Sequence, residues 1–91
     1  MSYELRFSKR AMGDLEHIKS SGNNAAIKKT RQILRELMEH PYTGTGRPEK
    51  LKYRENFYSR RITQKDRIVY SIHENIVTVD ILQMMGHYED K

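Results

Sequence analysis

The chain has 91 residues and no cysteine, and its 17 lysines and arginines exceed its 12 aspartates and glutamates to give a net charge of +5. This composition excludes disulfides and thiolate metal sites, and it predicts one domain, residues 1–91, with a small core and an anionic partner such as nucleic acid or an acidic protein. No apolar run is long enough for a signal peptide or a membrane span, so we expect a cytoplasmic protein without a membrane partner.

The first part of the chain predicts a strand and a helix. The alternation of polar and apolar residues in "YELRF", residues 3–7, is typical of a short strand. Ser8 is a suitable N-cap for a helix that follows this strand. In that helix the apolar residues recur at helical spacing, at Ala11, Leu15 and Ile18.

A second, longer helix is predicted after the turn "SSGNN", residues 20–24, with Asn23 or Asn24 as its N-cap. One stripe of this helix is apolar and consists of Ala26, Ile27, Ile33, Leu34, Leu37 and Met38. Pro41 ends the helix because proline cannot continue the backbone hydrogen bonding.

The second half of the chain follows a loop rich in glycine and proline, residues 41–50, and changes to a period of two. We predict strands near residues 51–53, 57–62, 67–72 and 76–82, separated by turns at "REN", "TQKD" and "HEN". One strand, two helices and a run of strands indicate an α+β fold, with two N-terminal helices packed on one face of a small twisted antiparallel β-sheet. The other face of the sheet is then open for function.

The segment "FYSRRITQKDRIVY", residues 57–70, carries four cations among aromatic and β-branched residues, namely Arg60, Arg61, Lys65 and Arg67. A strand buried on both faces does not carry so many charges. Strand alternation places Arg61 and Arg67 on the open face, close together if the strands pair through the "TQKD" turn. Because like charges side by side repel unless an anion lies between them, one interpretation is a phosphate site. The alternative is a solvated basic strand balanced by acids such as Asp66.

Two other residues have the chemistry of acid–base catalysis. Glu49 in "GRPEK" is a loop carboxylate among cations, which we expect to be ionised and able to accept a proton from a substrate hydroxyl. His87 can protonate a leaving oxygen. Each also has an ordinary interpretation, Glu49 as a surface acid and His87 as an incidental residue near the chain end. The four histidines lack metal-ligand spacing, so we expect no metal or other cofactor. A carboxylate, a histidine and an arginine together make a metal-free set for RNA cleavage.

The sequence "GTGRPEKLKYRENFYSRRITQKDRIVYSI", followed by "HY", resembles the YoeB/Txe toxins of the RelE superfamily. The resemblance is strongest over residues 41–88, and before that it is limited to the order of strand and helices. These toxins are bacterial toxin–antitoxin ribonucleases that cleave mRNA in the ribosomal A site. The resemblance therefore implies a ribosome-dependent endoribonuclease that inhibits translation in the bacterial cytoplasm. It also implies two helices on an antiparallel sheet, in agreement with the fold predicted above.

The resemblance assigns roles to particular residues. Glu49 matches the general base of the family and His87 its general acid. Arg67 matches the arginine that stabilises the transition state, and Tyr88 matches the aromatic residue that closes the site. Further cations are expected around the phosphate, namely Lys52, Arg60 and Arg61. Some family members end at the tyrosine of "HY", whereas three more residues, two of them acidic, follow here.

The resemblance also implies partners. They are an acidic antitoxin of the YefM/Axe type, mRNA in the ribosomal A site, the ribosome and, through the antitoxin complex alone, operator DNA; a homodimer is compatible with it. Two alternatives belong to other classes. One is a ParE-like toxin that inhibits a protein without cutting RNA, and the other is a basic nucleic-acid-binding module without catalysis. The acid–base residues argue against the first, and the lack of a helix-turn-helix or RNP-like motif argues against the second.

Overall fold

The computed structural model describes residues 2–52 and 54–86. Within these residues the helices and strands follow in the order β1 (Glu4–Phe7), α1 (Lys9–Lys19), α2 (Asn24–Glu39), β2 (Glu49–Lys50), β3 (Phe57–Arg61), β4 (Arg67–His73) and β5 (Thr78–Gln83), with a short 3-10 turn (Glu74–Ile76) before β5. None of these helices has the length and apolar character needed to cross a bilayer.

The strands form one sheet in the order β1-β5-β4-β3-β2. Neighbouring strands from β2 to β5 are antiparallel, as the hairpin turns predict. The first strand, β1, is parallel to β5, so the sheet is mixed rather than wholly antiparallel. A parallel pair needs a long connection, and the two helices and three strands between β1 and β5 provide it. The α+β class is confirmed.

Both helices begin at the polar residues that the sequence indicates. The side chain of Ser8 accepts a hydrogen bond from the backbone N–H of Ala11 (3.0 Å), and that of Asn23 accepts one from Ala26 (3.1 Å). Asn23, rather than Asn24, is therefore the second cap. These bonds satisfy backbone donors that the first helical turn leaves without a partner.

The two helices pack on one face of the sheet. Their buried residues Ala11, Ile18, Ala26, Ile33 and Leu37 meet Ile62, Ile68, Tyr70, Ile72, Val79, Ile81 and Met84. The two helices cover only this face, and the described residues place no helical layer on the other, called here the open face. The small residues of the open face are nevertheless buried: Val69 is 0% exposed, and Ser59 and Ser71 are each 3% exposed.

Two predicted strands start two residues away from their observed first residues. The strand predicted at residues 51–53 lies at 49–50, because the register pairs Glu49 with Ser59 on β3. The strand predicted to begin at residue 76 begins at Thr78. Val77 has a left-handed backbone (φ 48°) that ends the preceding 3-10 turn, so the extended conformation starts only after it.

Candidate active site

Three neighbouring strands place a carboxylate and two arginines on the open face. Glu49 on β2 pairs with Ser59 on β3, and Arg61 on β3 pairs with Arg67 on β4. Residues directly opposite each other in a sheet share a face, and so do residues two apart in one strand. The prediction that Arg61 and Arg67 are neighbours on the open face is therefore confirmed by the register.

The guanidinium group of Arg67 lies at the centre of this arrangement. Its Nη2 is 3.4 Å from Oε1 of Glu49, and its Nε donates a hydrogen bond to Oγ of Ser59 (3.1 Å). The side chain of Arg67 is 12% exposed, whereas that of Glu49 is 63% exposed. The arginine is thus held in place by the sheet, and the carboxylate extends into solvent where a substrate hydroxyl can reach it.

Some donors of the two arginines are unused. Among the described residues, Nε of Arg61 and Nη2 of Arg67 are buried and have no hydrogen-bond acceptor. The contact of Arg67 with Glu49 is an approach of opposite charges in which no N–H points correctly at the carboxylate. A buried donor without an acceptor costs about 1–3 kcal/mol. Folding therefore leaves two arginine donors on the open face without an acceptor among the described residues.

The backbone of Gly86 joins this site. Its carbonyl accepts a hydrogen bond from the backbone N–H of Arg67 (3.1 Å), and its own N–H donates to Oδ1 of Asp66 (2.9 Å). Gly86, the last described residue, therefore lies directly beside Arg67. His87 and Tyr88, which follow, lie outside the described residues, so their predicted roles stay predictions.

Lys52 also stays a prediction as a phosphate-binding residue. It is exposed in the turn that follows β2, three residues after Glu49. The turn is attached to the sheet by a hydrogen bond from the backbone N–H of Leu51 to the carbonyl of Phe57 (2.8 Å). This places Lys52 at the same edge of the sheet as Glu49.

The prediction that Arg60 binds phosphate is wrong. Its side chain is 0% exposed and faces the helices, where Nη1 contacts Oε1 of Glu36 at 2.8 Å. Nη2 donates to the carbonyls of His40 (2.9 Å) and Thr43 (2.7 Å), and Nε donates to the hydroxyl of Tyr70 (3.0 Å). The guanidinium group has neither exposed surface nor unused charge for RNA. Strand alternation could have shown this, because Arg60 falls on the core-facing side of β3.

Arg60 instead attaches the loop that leads to Glu49. Burial of the Glu36 carboxylate raises its pKa, but hydrogen bonds from Thr45, Gln32 and Arg60 outweigh this and leave the pKa below its usual value. Glu36 therefore stays ionised beside Arg60 and holds the loop through Thr45, whose N–H and hydroxyl both donate to it. Local sequence patterns do not reveal this role of Glu36, because Arg60 lies 24 residues away in the chain.

A second polar cluster lies on the open face, away from Glu49. His73 Nε2 is 2.9 Å from Oγ of Ser71 and 3.3 Å from Oδ2 of Asp80. Arg6 donates from Nε to Oδ1 of the same aspartate (2.7 Å). Asp80 thus offsets the cations at this end, whereas at the other end the carboxylate of Glu49 faces the two cations Arg61 and Arg67. The described residues contain no group of three or more His, Cys, Asp or Glu side chains able to hold a metal ion.

Comparison with known proteins adds a family match. A sequence model described as "YoeB-like toxin of bacterial type II toxin-antitoxin system" matches residues 7–88. Toxin YoeB of Escherichia coli O6:H1 is 35% identical over 54 residues, which are 58% of this chain and 64% of that toxin. The chain thus matches just under two thirds of the length of this relative.

Solved structures resemble the chain over nearly its whole length. A YoeB dimer from Staphylococcus aureus (27% identity, TM-score 0.80) and a YoeB–YefM complex from the same organism (30%, 0.76) each match 97% of this chain and 100% of theirs. RelE in an archaeal RelE–RelB complex from Pyrococcus horikoshii, at 19% identity, shares the fold (TM-score 0.74) over 94% of this chain and 96% of its own.

Proposed function

The chain belongs to the YoeB-like toxins of bacterial type II toxin–antitoxin systems, with the fold of the RelE superfamily, and on this basis we propose that it is an endoribonuclease that cleaves mRNA on the ribosome. The observation that carries the proposal is the contact between Glu49 and Arg67, 3.4 Å apart on the open face, with buried arginine donors left unused beside it. A site of this kind suits a phosphodiester flanked by a hydroxyl group.

The proposed reaction needs no metal. Glu49 takes the proton of a ribose 2′-hydroxyl, and the 2′-oxygen attacks the neighbouring phosphorus. Arg67 and Arg61 stabilise the extra negative charge on the phosphoryl oxygens, a role that typically changes rates by about 10²–10³-fold per donor. The bond to the 5′-oxygen breaks and His87 protonates that oxygen, giving a 2′,3′-cyclic phosphate and a free 5′-hydroxyl. Each acid–base step typically contributes about 10²–10⁴-fold.

Other family features support the choice of partners. The S. aureus relatives form a toxin dimer and a complex with YefM. We propose that this chain likewise binds an acidic YefM-like antitoxin and forms a homodimer, and that it reaches operator DNA only through the antitoxin. Its net charge of +5 suits both the antitoxin and RNA.

The test compares the wild-type protein with Glu49→Gln on ribosomes programmed with a defined mRNA, with mapping of the cleaved ends. We expect the wild type to cut within the A-site codon and leave a cyclic phosphate, and the variant to lose at least about 10²-fold in rate. Lys9→Gln removes an exposed charge from α1 and serves as the control. If wild type and Glu49→Gln arrest growth equally when expressed without antitoxin, a toxin that acts by binding alone, as in the ParE-like alternative, explains the data better.

A further inference from the structure

The segment that follows β5, residues 84–86, belongs to no strand or helix, and side chains from elsewhere in the fold hold its backbone. On α1, Oδ2 of Asp14 accepts a hydrogen bond from the N–H of Met84 (2.9 Å), and Nη2 of Arg10 donates one to the carbonyl of Met85 (3.2 Å). Backbone groups outside regular structure need such partners, and here the partners fix the path of the chain. We call residues 84–86 the exit segment.

Asp66 holds the last residue of the exit segment. Its Oδ1 accepts a hydrogen bond from the N–H of Gly86 (2.9 Å), and the N–H of the next residue, Arg67, donates one to the carbonyl of Gly86 (3.1 Å). Two consecutive residues therefore bind both backbone groups of Gly86. The φ of Gly86 is +78°, a left-handed conformation that glycine adopts without strain.

The turn between β3 and β4 fixes Asp66 in its turn. The backbone N–H of Asp66 donates to Oγ1 of Thr63 (3.1 Å), and its carbonyl accepts from the N–H groups of Ile62 (2.9 Å) and Thr63 (3.2 Å). Ile62 belongs to the core, so the turn is attached to the helix side of the sheet. Asp66 is therefore a fixed, half-buried acceptor rather than a solvated surface acid.

Two proposed catalytic groups depend on this junction. Arg67 follows Asp66 in the chain, and His87, which lies outside the described residues, follows Gly86. Consecutive Cα atoms are at most about 3.8 Å apart, so a fixed Gly86 limits where the next residue can begin. The oxygens that the arginine and the histidine serve in the proposed reaction are bonded to one phosphorus atom. Catalytic groups must be held within about 0.5 Å of the productive geometry, and a displacement of about 1 Å can cost about 10²-fold in rate.

We propose that Asp66 is a positioning residue of the proposed ribonuclease, which holds Gly86 so that the acid at position 87 and the guanidinium group of Arg67 act on the same phosphate. Asp66 itself touches no RNA and transfers no proton in this scheme. The inference rests on the proposed function. The alternative that the sequence offers, in which Asp66 balances the cations of the hairpin, depends on its charge, whereas positioning depends on its hydrogen bond.

The experiment separates the charge from the hydrogen bond with two substitutions. Asp66→Asn removes the charge but keeps an oxygen that can accept from the N–H of Gly86, whereas Asp66→Ala removes both. Asp80→Ala is the matched control, because it removes a half-buried acid of the open face whose partners are Arg6 and His73 instead. Hydrogen exchange of the Gly86 N–H and thermal melts are measured first, without RNA.

Single-turnover cleavage on programmed ribosomes then gives the rate at saturation and the concentration for half-saturation. We expect Asp66→Ala to speed exchange of the Gly86 N–H and to lower the saturated rate by about 10–10²-fold, with half-saturation unchanged, because chemistry rather than binding is affected. We expect Asp66→Asn and Asp80→Ala to stay within about threefold of the wild-type rate, since both leave an acceptor for Gly86 in place.

The same substitution is repeated in the His87→Ala background. If Asp66 acts through His87, Asp66→Ala should change the residual rate there by less than about twofold, because groups that act as a unit are not additive. A residue that merely supports the fold would lower the rate equally in both backgrounds.

Three results would overturn the inference while wild type still cuts RNA. Asp66→Asn as slow as Asp66→Ala would show that the charge matters, and equal losses with and without His87 would show general support of the fold. Fast exchange of the Gly86 N–H in wild type would show that the hydrogen bond does not hold the exit segment. A wild-type protein that leaves mRNA uncut would instead overturn the proposed function, and this inference with it.

Discussion

Arg60 and Arg61 are neighbours in one strand, and they differ in almost every physical respect. Arg60 is fully buried on the helix side and makes one ion pair and hydrogen bonds to a hydroxyl and to three carbonyls. Arg61 faces the open side, opposite Arg67, and its Nε is buried without an acceptor. Arginines that look equivalent in the sequence are therefore distinguished by how many of their donors are satisfied within the fold.

The difference has an energetic meaning. A buried charge with a full set of partners is a fixed part of the structure, and removing it leaves its partners without compensation. A donor that folding leaves unsatisfied lowers stability, and it is useful where a ligand supplies the missing acceptor. The two faces of β3 thus separate stability from binding, and substitutions on each face test that separation.

The largest expected effect is the loss of stability in Arg60→Met. Removal of this cation takes a donor from three loop carbonyls, and it takes the charge partner from Glu36, which keeps only its hydrogen bonds from Thr45 and Gln32. We expect unfolding to become easier by about 3–5 kcal/mol, measured by urea denaturation. Arg61→Met is the matched control, and we expect it to change stability by less than about 1 kcal/mol. Equal destabilisation by both substitutions would refute the distinction between the two faces.

The next effect concerns catalysis. We expect Arg67→Ala to lower the cleavage rate on programmed ribosomes by about 10²–10³-fold, because it removes a guanidinium group proposed to stabilise the charge on the phosphoryl oxygens. The thermal midpoint should change little, since within residues 2–52 and 54–86 the side chain of Arg67 makes one hydrogen bond, to Ser59. If Arg67→Ala unfolds the protein instead, its contact with Glu49 is a structural ion pair.

The pH dependence of stability should also reveal the ion pair between Arg60 and Glu36 on the helix-facing side of the sheet. Folding lowers the pKa of Glu36, so the ionised form contributes stability above the pKa of the unfolded chain, and this contribution disappears as the pH falls through the lower folded value. We expect Glu36→Gln to be less stable than wild type at pH 7 and the difference to shrink steadily below about pH 4.5. Glu49→Gln removes an exposed carboxylate from the other face and is the control. A difference that is constant from pH 7 to pH 3 would exclude an ionic role for Glu36.

The smallest expected effect separates two glycines. A Cβ at Gly46, whose φ is +89°, would lie 2.7 Å from the carbonyl oxygen of Arg61, so Gly46→Ala should destabilise the protein by about 1–2 kcal/mol. Gly13 lies inside α1, and outside its chain neighbours and the adjacent helix backbone no atom lies within 4 Å of its added Cβ, so Gly13→Ala should stabilise by about 0.5–1 kcal/mol. Thermal melts of both variants, together with cleavage assays, will show whether the loop before Glu49 tolerates strain.

Much of the fold follows from local patterns in the sequence. Ser8 and Asn23 cap their helices as predicted, and the alternation in β3 and β4 places Arg61 beside Arg67. Patterns of this kind depend on neighbouring residues, which is why the sequence reveals them. The parallel register of β1 could not be predicted, because β1 and β5 pair across nearly the whole chain.

In the candidate site, too, features that depend on residues distant in the chain could not be predicted from local patterns. The pairing of Glu49 with Ser59 depends on where the glycine-rich loop ends and β2 begins. The sequence pattern predicted the start of β2 two residues too late. The role of Arg60 depends on Glu36, which is 24 residues away in sequence and belongs to another element. The sequence contained one signal of this role, because a charged residue at a core-facing strand position, such as Arg60, needs a buried partner within the fold rather than a ligand.

The parallel pairing of β1 with β5 has a consequence for the timing of folding. The edge strand β1 is made first but has β5, made last among the strands, as its neighbour in the sheet. Contacts between such distant segments slow folding, because the intervening chain must be ordered before they form. While the chain is being synthesised, its sheet therefore stays incomplete until residues 78–83 are available. The sheet that carries Glu49, Arg61 and Arg67 thus becomes complete only after β5, the last of its strands in chain order, has been synthesised.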